Sequence, residues 1–428
     1  MLWIFLIILL FILIIMRVPI AFAMAFISLL GIMASDVSLL ANVPRSIFSG
    51  TNSFTLVAIP LFVLAGEIMA RGGISERLVN FSKIIVGPIP GGLALVVIIS
   101  SVFFAALTGT ALAAAAAIGG MLIPTMLREG YDKGFTTSLI ACASTIGPII
   151  PPSIVLILYG VIAGVSISDL FIAGFIPGIL MALGLMVYSI YIGKKNNYVI
   201  KRDEKITVGV FLKYFKDAIL ALLMPVIIIG GIVSGMFTAT ESGVIAVFYA
   251  LIICIFVYRE ITMKDILDVL KSTAYTSTGI IFLIGSAAIF IWYINYENIP
   301  NQLMSVLGFA AENPILLLLI INIILLLAGT FIDTISAVTI FTPLFAPMIV
   351  AAGIDPVHFG IILAVNLTIG MVTPPLGVCL FVVSSIAKQK IPAMFKHLFP
   401  QVGILILVLL AVTYLPSIIM APVKFLNG

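Results

Sequence analysis

The chain has 428 residues, of which 63% are hydrophobic and only 9% charged, where an ordinary soluble domain carries roughly a quarter charged residues. Its 21 Lys and Arg and 17 Asp and Glu leave residues 84–127, 134–168, 170–193, 218–240, 356–387 and 397–423 with no charge, each run at or above the roughly 20 residues that span a bilayer core. These figures exclude a soluble globular protein and a nucleic-acid-binding face, and they predict an all-α polytopic membrane protein.

No basic residue precedes the first apolar stretch, Leu2 to Ile15, and Arg17 follows it; it reads as a retained membrane segment, not a signal peptide. Leu2 to Met16 and Val18 to Ser35 are two segments or one helix kinked at Pro19. Phe54 to Ala70 comes next, and the loop after it carries Arg71, Arg77 and Lys83. The uncharged stretch 84–127 lies between Lys83 and Arg128, with Thr108-Gly109-Thr110 at its middle in an alanine-rich setting. Its length fits two crossings, and equally a helical hairpin, about 89–127, that enters and leaves on one side. Residues 136–165 form one uncharged run broken by Thr145-Ile146-Gly147-Pro148 and Pro151-Pro152. Prolines so close together break a helix, so two half-helices joined by extended chain are expected. Asp169 to Tyr191 crosses back. The basic stretch from Lys194 to Lys216 reads as a solvated cytoplasmic linker in preference to a specific lipid-binding segment. The plan then repeats: Ala218 to Met236, Glu241 to Tyr258, Ser272 to Tyr293, a hairpin candidate 314–352, a broken crossing 358–386 and a last helix from Gln401 to Ile419.

An offset of 223 residues pairs Pro124 with Pro347, Gly130 with Gly353 and Asp132 with Asp355. It superposes Thr145-Ile146-Gly147 on Thr368-Ile369-Gly370, and Pro151-Pro152 on Pro374-Pro375. Residues 124–155 show ten identities in 32 ungapped columns, where about three are expected by chance. Loop charges give the orientation. Arg71, Arg77 and Lys83 have only Glu297 in the matching loop 294–306, whereas Lys388, Lys390 and Lys396 match a loop offering only Asp169. Equivalent loops therefore face opposite sides, an inverted-topology repeat. The expected division is a first repeat 1–193, a linker 194–217 and a second repeat 218–428.

Unwound backbone at membrane depth is tolerated only where it is buried or lines a cavity. Half-helix N-termini attract anions there, and unwound carbonyls hold cations. Four breaks qualify, 107–110, 145–152, 329–334 and 368–375, in two pairs under the offset. Thr145, Thr368 and Thr373 offer hydroxyl oxygens, and Gly147 and Gly370 allow close backbone approach. Against this, each threonine can bond its own helix and each proline can merely kink it; two symmetry-related copies favour a shared midplane site. Asp333 is the one charged residue between Asn313 and Ile354, and its counterpart is Thr110. It can ligate a cation, carry a proton or cap the half-helix that starts at Thr334. Glu67 and Glu241 are weaker candidates, because Glu67 has Arg71 one turn on. Trp292, Tyr293 and Tyr296 read as interfacial anchors, His358 and His397 as surface residues at segment ends. Cys142, Cys254 and Cys379 read as small buried hydrophobes. Neither HExxH nor GxGD is present, which argues against an intramembrane enzyme, and hairpins meeting at a midplane suit an occluded site better than a channel.

At Arg17-Val18-Pro19-Ile20-Ala21, Ile59-Pro60-Leu61-Phe62, Thr108-Gly109-Thr110, the run from Thr145 to Ser153, Gly329-Thr330-Phe331-Ile332-Asp333, and Thr368-Ile369-Gly370 with Thr373-Pro374-Pro375, the sequence resembles a known family. It is similar, over essentially its whole length, to the large membrane subunit of the tripartite ATP-independent periplasmic (TRAP) transporters. The resemblance implies an elevator-type secondary transporter of the bacterial inner membrane, driven by sodium and importing an organic acid such as sialic acid or a C4-dicarboxylate. It implies re-entrant hairpins in place of paired crossings, and no cofactor beyond sodium as coupling ion. On this basis Thr108, Gly109, Thr110, Thr145, Gly147, Gly329, Asp333, Thr368, Gly370 and Thr373 are expected around sodium. Pro151, Pro152, Ser153, Thr334, Ser336, Pro374 and Pro375 are expected around the substrate. The expected partners are a small four-helix membrane subunit on a separate chain, a periplasmic substrate-binding protein and membrane lipid. The alternative is a binding-protein-independent anion carrier or exporter of the same superfamily.

Overall fold

The structure, a computed structural model, describes residues 2–86, 89–198, 208–306 and 313–427. Among these every regular element is a helix, and eight helices are long and apolar enough to cross a membrane. Helices α1 (Leu2–Ile15) and α2 (Ile20–Ser35) are separate and lie against each other, with Arg17 in left-handed backbone (φ 66°) between them. This decides between the two readings of that region. A short helix α3 (Asn42–Thr51), unforeseen in the sequence, leads to α4 (Ala58–Arg71). The segment taken as a loop after residue 70 is instead helix α5 (Ile74–Val86), whose apolar residues Leu78, Phe81 and Val86 are buried.

Then come α6 (Gly92–Thr108), α7 (Ala111–Arg128), α8 (Lys133–Ser144), α9 (Ile154–Ala163) and α10 (Ile167–Lys195). Helix α11 (Val208–Val233) already contains Lys213 and Lys216, and α10 contains Lys194 and Lys195, so the expected linker is helical at both ends. Lys201, Arg202 and Lys205 lie outside the described residues.

Helix α12 (Ala239–Ile252) opens with a capping box in which the Glu241 carboxylate accepts from the Thr238 amide at 2.8 Å. Glu241 thus serves as an end-cap, exposed at the start of the helix. The same device, Thr262 with Asp265, starts α13 (Met263–Tyr296) well before Ser272, because charged first turns extend a helix beyond its apolar part. Near its end Tyr293 is only 2% exposed, contrary to a role as an interfacial anchor, while the exposed Tyr296 stacks on Trp292.

Helices α14 (Ile299–Val306), α15 (Pro314–Gly329), α16 (Thr334–Ala351), α17 (Pro356–Gly370), α18 (Val378–Ala387), α19 (Phe395–Tyr414) and α20 (Pro416–Asn427) complete the chain. The 223-residue offset carries the bounds of α7 onto those of α16, residue for residue, and the cis Pro151-Pro152 bond onto the cis Pro374-Pro375 bond.

Two groups of helices emerge. In one, which we call the frame, α13 lies across α2, α3 and α4, and α4 packs on α12. In the other, the body, contacts run between early and late elements: α7 against α18, α9 against α16, α8 against α19, and α10 against α17, α19 and α20. The body holds the most deeply buried segments of the molecule. Residues 134–144 and 357–370 are buried without exception.

Candidate functional site

The hairpin α6–α7 turns at Gly109, whose φ of 61° is left-handed, a region that glycine enters without cost. A side chain there would also meet the Pro152 carbonyl oxygen at 2.6 Å, so the first tip lies directly on the first break. Gly147 completes the contact from the other side, with the Thr110 carbonyl 3.0 Å from where its Cβ would be. The second tip repeats this with different atoms. Gly329 and Gly370 bring two backbones together, and the Gly377 amide donates to the Thr330 carbonyl at 3.2 Å.

Between α8 and α9 the chain is a succession of turns, not extended chain as the prolines had implied. The amides of Gly147, Ile149 and Ile150 each find a carbonyl three or four residues back, at 3.0 to 3.1 Å, so little backbone is left unpaired in a region that is wholly buried. Ser153 caps α9 by accepting from the Leu156 amide at 3.2 Å and donates to the Pro148 carbonyl. The second break is more open: Thr373 and Pro374 are half-buried and Pro375 is exposed.

The two tips face each other across a cavity of about 310 Å³, lined among others by Gly109, Thr110, Pro148, Asp333, Thr334 and Met371. That volume is at the lower end of small-molecule sites. Of the residues singled out in the sequence, Gly109, Thr110, Asp333 and Thr334 meet here, and Thr108 lines a smaller adjoining cavity. Thr145, Gly147, Pro151, Pro152, Ser153, Gly329, Ser336, Thr368, Gly370, Thr373, Pro374 and Pro375 do not line it; most lie beneath the tips, in the breaks that carry them. The Thr145, Thr368, Thr373 and Thr108 hydroxyls donate to their own helices, to the carbonyls of Cys142, Val365, Ile369 and Phe104 at 2.7 to 3.2 Å. Their hydrogens are thus committed, and only oxygen lone pairs are left to face a ligand.

Asp333 is the N-cap of α16, its Oδ1 accepting from the Ser336 amide at 3.1 Å. The capping role is therefore present, and it uses one oxygen of two. Thr334 ties the second tip to the second break through its hydroxyl and the Met371 sulfur, 2.8 Å apart. Among the described residues no Lys or Arg lines the cavity. The positive potential available there comes from the N-terminal ends of α7, α9 and α16, which begin at its wall.

Sequence reasoning missed Thr276, which lines the cavity from the frame helix α13. It also missed a buried amide network: Asn366 donates to Asn322 Oδ1 at 2.7 Å, and Asn322 donates to Thr413 at 3.0 Å. The signal for the network was there, since each asparagine is a solitary amide in an apolar helix. His358 and His397 are not surface residues. His358 is 3% exposed with Nε2 2.7 Å from the Val412 carbonyl, and His397 lies between the Tyr188 hydroxyl at 3.3 Å and the Asp132 carboxylate at 3.6 Å. Both stand at helix ends, but those ends are covered by neighbouring helices.

Paired hairpins and interrupted helices around a common cavity are the architecture of a membrane transporter. A solved transporter, YdaH of Alcanivorax borkumensis, has the same fold: the TM-score is 0.65 at 15% identity, over 91% of this chain and 90% of that one. The family follows from sequence. Residues 7–418 match the tripartite ATP-independent periplasmic transporter, DctM component, and the chain belongs to that family of transporter permeases, not to an enzyme family. It is similar to the sialic acid TRAP transporter large permease protein SiaM of Vibrio cholerae, 37% identical over 96% of each chain. To the 2,3-diketo-L-gulonate large permease YiaN of Escherichia coli it is 39% identical over 92% of this chain and 91% of that one. To the isethionate permease protein DctMQ of Oleidesulfovibrio alaskensis it is 40% identical over 94% of this chain but only 63% of the longer relative.

Proposed function

We propose that the chain is the large membrane subunit of a sodium-coupled importer of an organic acid in the bacterial inner membrane. Repeats 1–193 and 218–428 are read as oppositely oriented about the 194–217 linker, with re-entrant hairpins at 89–127 and 314–352 and broken helices at 136–165 and 358–386. A small four-helix subunit and a periplasmic binding protein complete the system. The name of the DctMQ relative is consistent with a large and a small part joined in one chain. The relatives' printed substrates, sialic acid, diketogulonate and isethionate, share an acidic group, so the substrate class is an organic anion.

The observation that carries this reading is the sign of the cavity. Among the described residues its one charged side chain is the Asp333 carboxylate, opposite the neutral Thr110. An anion entering beside a carboxylate needs positive charge that no side chain supplies, and helix N-termini offer only partial charges. Cations held by the Asp333 oxygen, tip carbonyls and threonine oxygens provide it, and their binding is then obligatorily linked to that of the anion. The body helices, interlocked between the halves, are read as moving against the frame as one unit in an elevator cycle. The test is uptake of labelled acid by the reconstituted large and small subunits with added binding protein. Uptake is expected only with an inward sodium gradient; uptake unchanged on replacing sodium refutes the coupling.

A further inference from the structure

Two cavities adjoin at the first tip. The smaller, about 120 Å³, lies between α4, α13 and the Thr108 to Ala113 turn, and shares Thr110, Ala113, Thr276 and Ile335 with the larger. It is well above the about 10–15 Å³ that one water needs. Its polar wall does no evident structural work. Thr110 stands at the N-cap of α7 with extended backbone, φ −134°, yet its hydroxyl makes no capping bond, whereas Ser153 and Asp333 at the equivalent ends do. Thr276 is exposed on α13, toward both cavities, and makes no hydrogen bond among the described residues. Glu67 enters from α4. Its bland role is to pair with Arg71, but Nε of Arg71 stands 3.8 Å from the nearer carboxylate oxygen, beyond hydrogen-bonding distance. Beyond this loose ion pair the carboxylate makes no hydrogen bond among the described residues, so its lone pairs keep room for a further ligand.

A carboxylate with free lone pairs and two uncommitted hydroxyls is a hard-oxygen set suited to a partly hydrated monovalent cation. We propose that Glu67, Thr110 and Thr276 form a way-station for that cation on the frame side of the inter-tip cavity, which it adjoins at the two threonines. The station takes Glu67 and Thr276 from the frame and Thr110 from the body, so it exists only while the first tip lies beside α4. The proposal rests on the sodium-coupled reading above, which treats the tips and breaks alone as ion sites.

The test measures the sodium dependence of uptake by the full reconstituted system, with thermal unfolding of each variant as a folding control. Wild type comes first: sodium-independent uptake sinks the parent reading. Given sodium-dependent wild-type uptake, Glu67→Gln is expected to raise the half-saturating sodium concentration by about tenfold, the loss of one short-range charge interaction in a partly solvated site. Uptake at saturating sodium should be largely retained. Thr276→Val should move it in the same direction by less, and Glu67→Asp should restore the wild-type value. Arg71→Gln removes a competing positive charge and should lower the value or leave it unchanged. An unaltered sodium dependence in Glu67→Gln overturns the proposal, and so does Arg71→Gln behaving like Glu67→Gln, since that is the signature of a structural pair.

Discussion

Gly370, at the contact of second tip and second break, is a place where the structure makes a sharp quantitative demand. A Cβ at this position would stand 2.6 Å from the Gly329 Cα and 2.9 Å from its carbonyl oxygen, where ordinary contacts are 3.4–4 Å. The obstacle is backbone, which has no rotamer to escape into. Gly370→Ala must therefore push the second tip off the second break by roughly 1 Å, at about 1–3 kcal/mol, the usual cost of overpacking. The helix preference of alanine offsets only part of this, because Gly370 is the last residue of α17. Gly403 is the control: it lies inside α19 with nothing within 4 Å of its added Cβ, so Gly403→Ala should stabilise by about 0.5–1 kcal/mol. Gly147→Ala and Gly329→Ala, with nearest backbone atoms at 3.0 and 3.2 Å, should fall between them. The assay is thermal unfolding of the purified subunit beside substrate uptake, and the expected order of stability is Gly403→Ala, then Gly329→Ala and Gly147→Ala, then Gly370→Ala. A Gly370→Ala protein as stable and as active as Gly403→Ala would refute the close approach of tip and break.

Asp333 allows cap and charge to be separated. Asn caps as well as Asp, so Asp333→Asn should unfold at the wild-type temperature yet need more sodium for uptake, whereas Asp333→Ala should lose about 1 kcal/mol of stability as well. Wild-type sodium dependence in Asp333→Asn would leave the carboxylate as a cap only. Removing the Asn322 side chain takes away one partner each from Asn366 and Thr413, which keep the backbone carbonyls of Asn322 and Leu409 at 2.9 and 2.8 Å; Asn322→Ala should cost about 0.6–2 kcal/mol in thermal unfolding without altering the sodium requirement. A change in sodium affinity there would mean that the amide network reaches the site.

What could be read in the sequence is what depends on local backbone chemistry. Charge-free runs marked the apolar helices, and Gly, Pro and Thr marked the interruptions at 107–110, 145–152, 329–334 and 368–375, because few other residues tolerate those turns. Short amphipathic helices such as α3 and α5 escaped notice; in α5, Arg77 and Lys83 read as loop charges. Helix starts were placed too late wherever a capping box lies in water, as at Thr262. The site was visible in its tips but not in its walls. Thr276 becomes relevant only when α13 is laid beside α16 and across the cavities from the start of α7, and nothing in its neighbours along the chain announces that. For the same reason His358 and His397 were misjudged: the surfaces that cover them come from distant segments.

The interleaving of early and late helices in the body also has a consequence for synthesis. The Tyr159 hydroxyl donates to the Pro356 carbonyl, 197 positions later, and the Thr137 hydroxyl to Gln389, 252 positions later. Helices α7, α8 and α9 therefore leave the ribosome long before the surfaces that cover them exist. In lipid no hydrophobic force hurries their burial, and such long-range closure is slow. The first half must wait in the bilayer with its turns and prolines unsheltered until the second half arrives. That interval is when a membrane-embedded chaperone, or a protease, would find this chain most vulnerable.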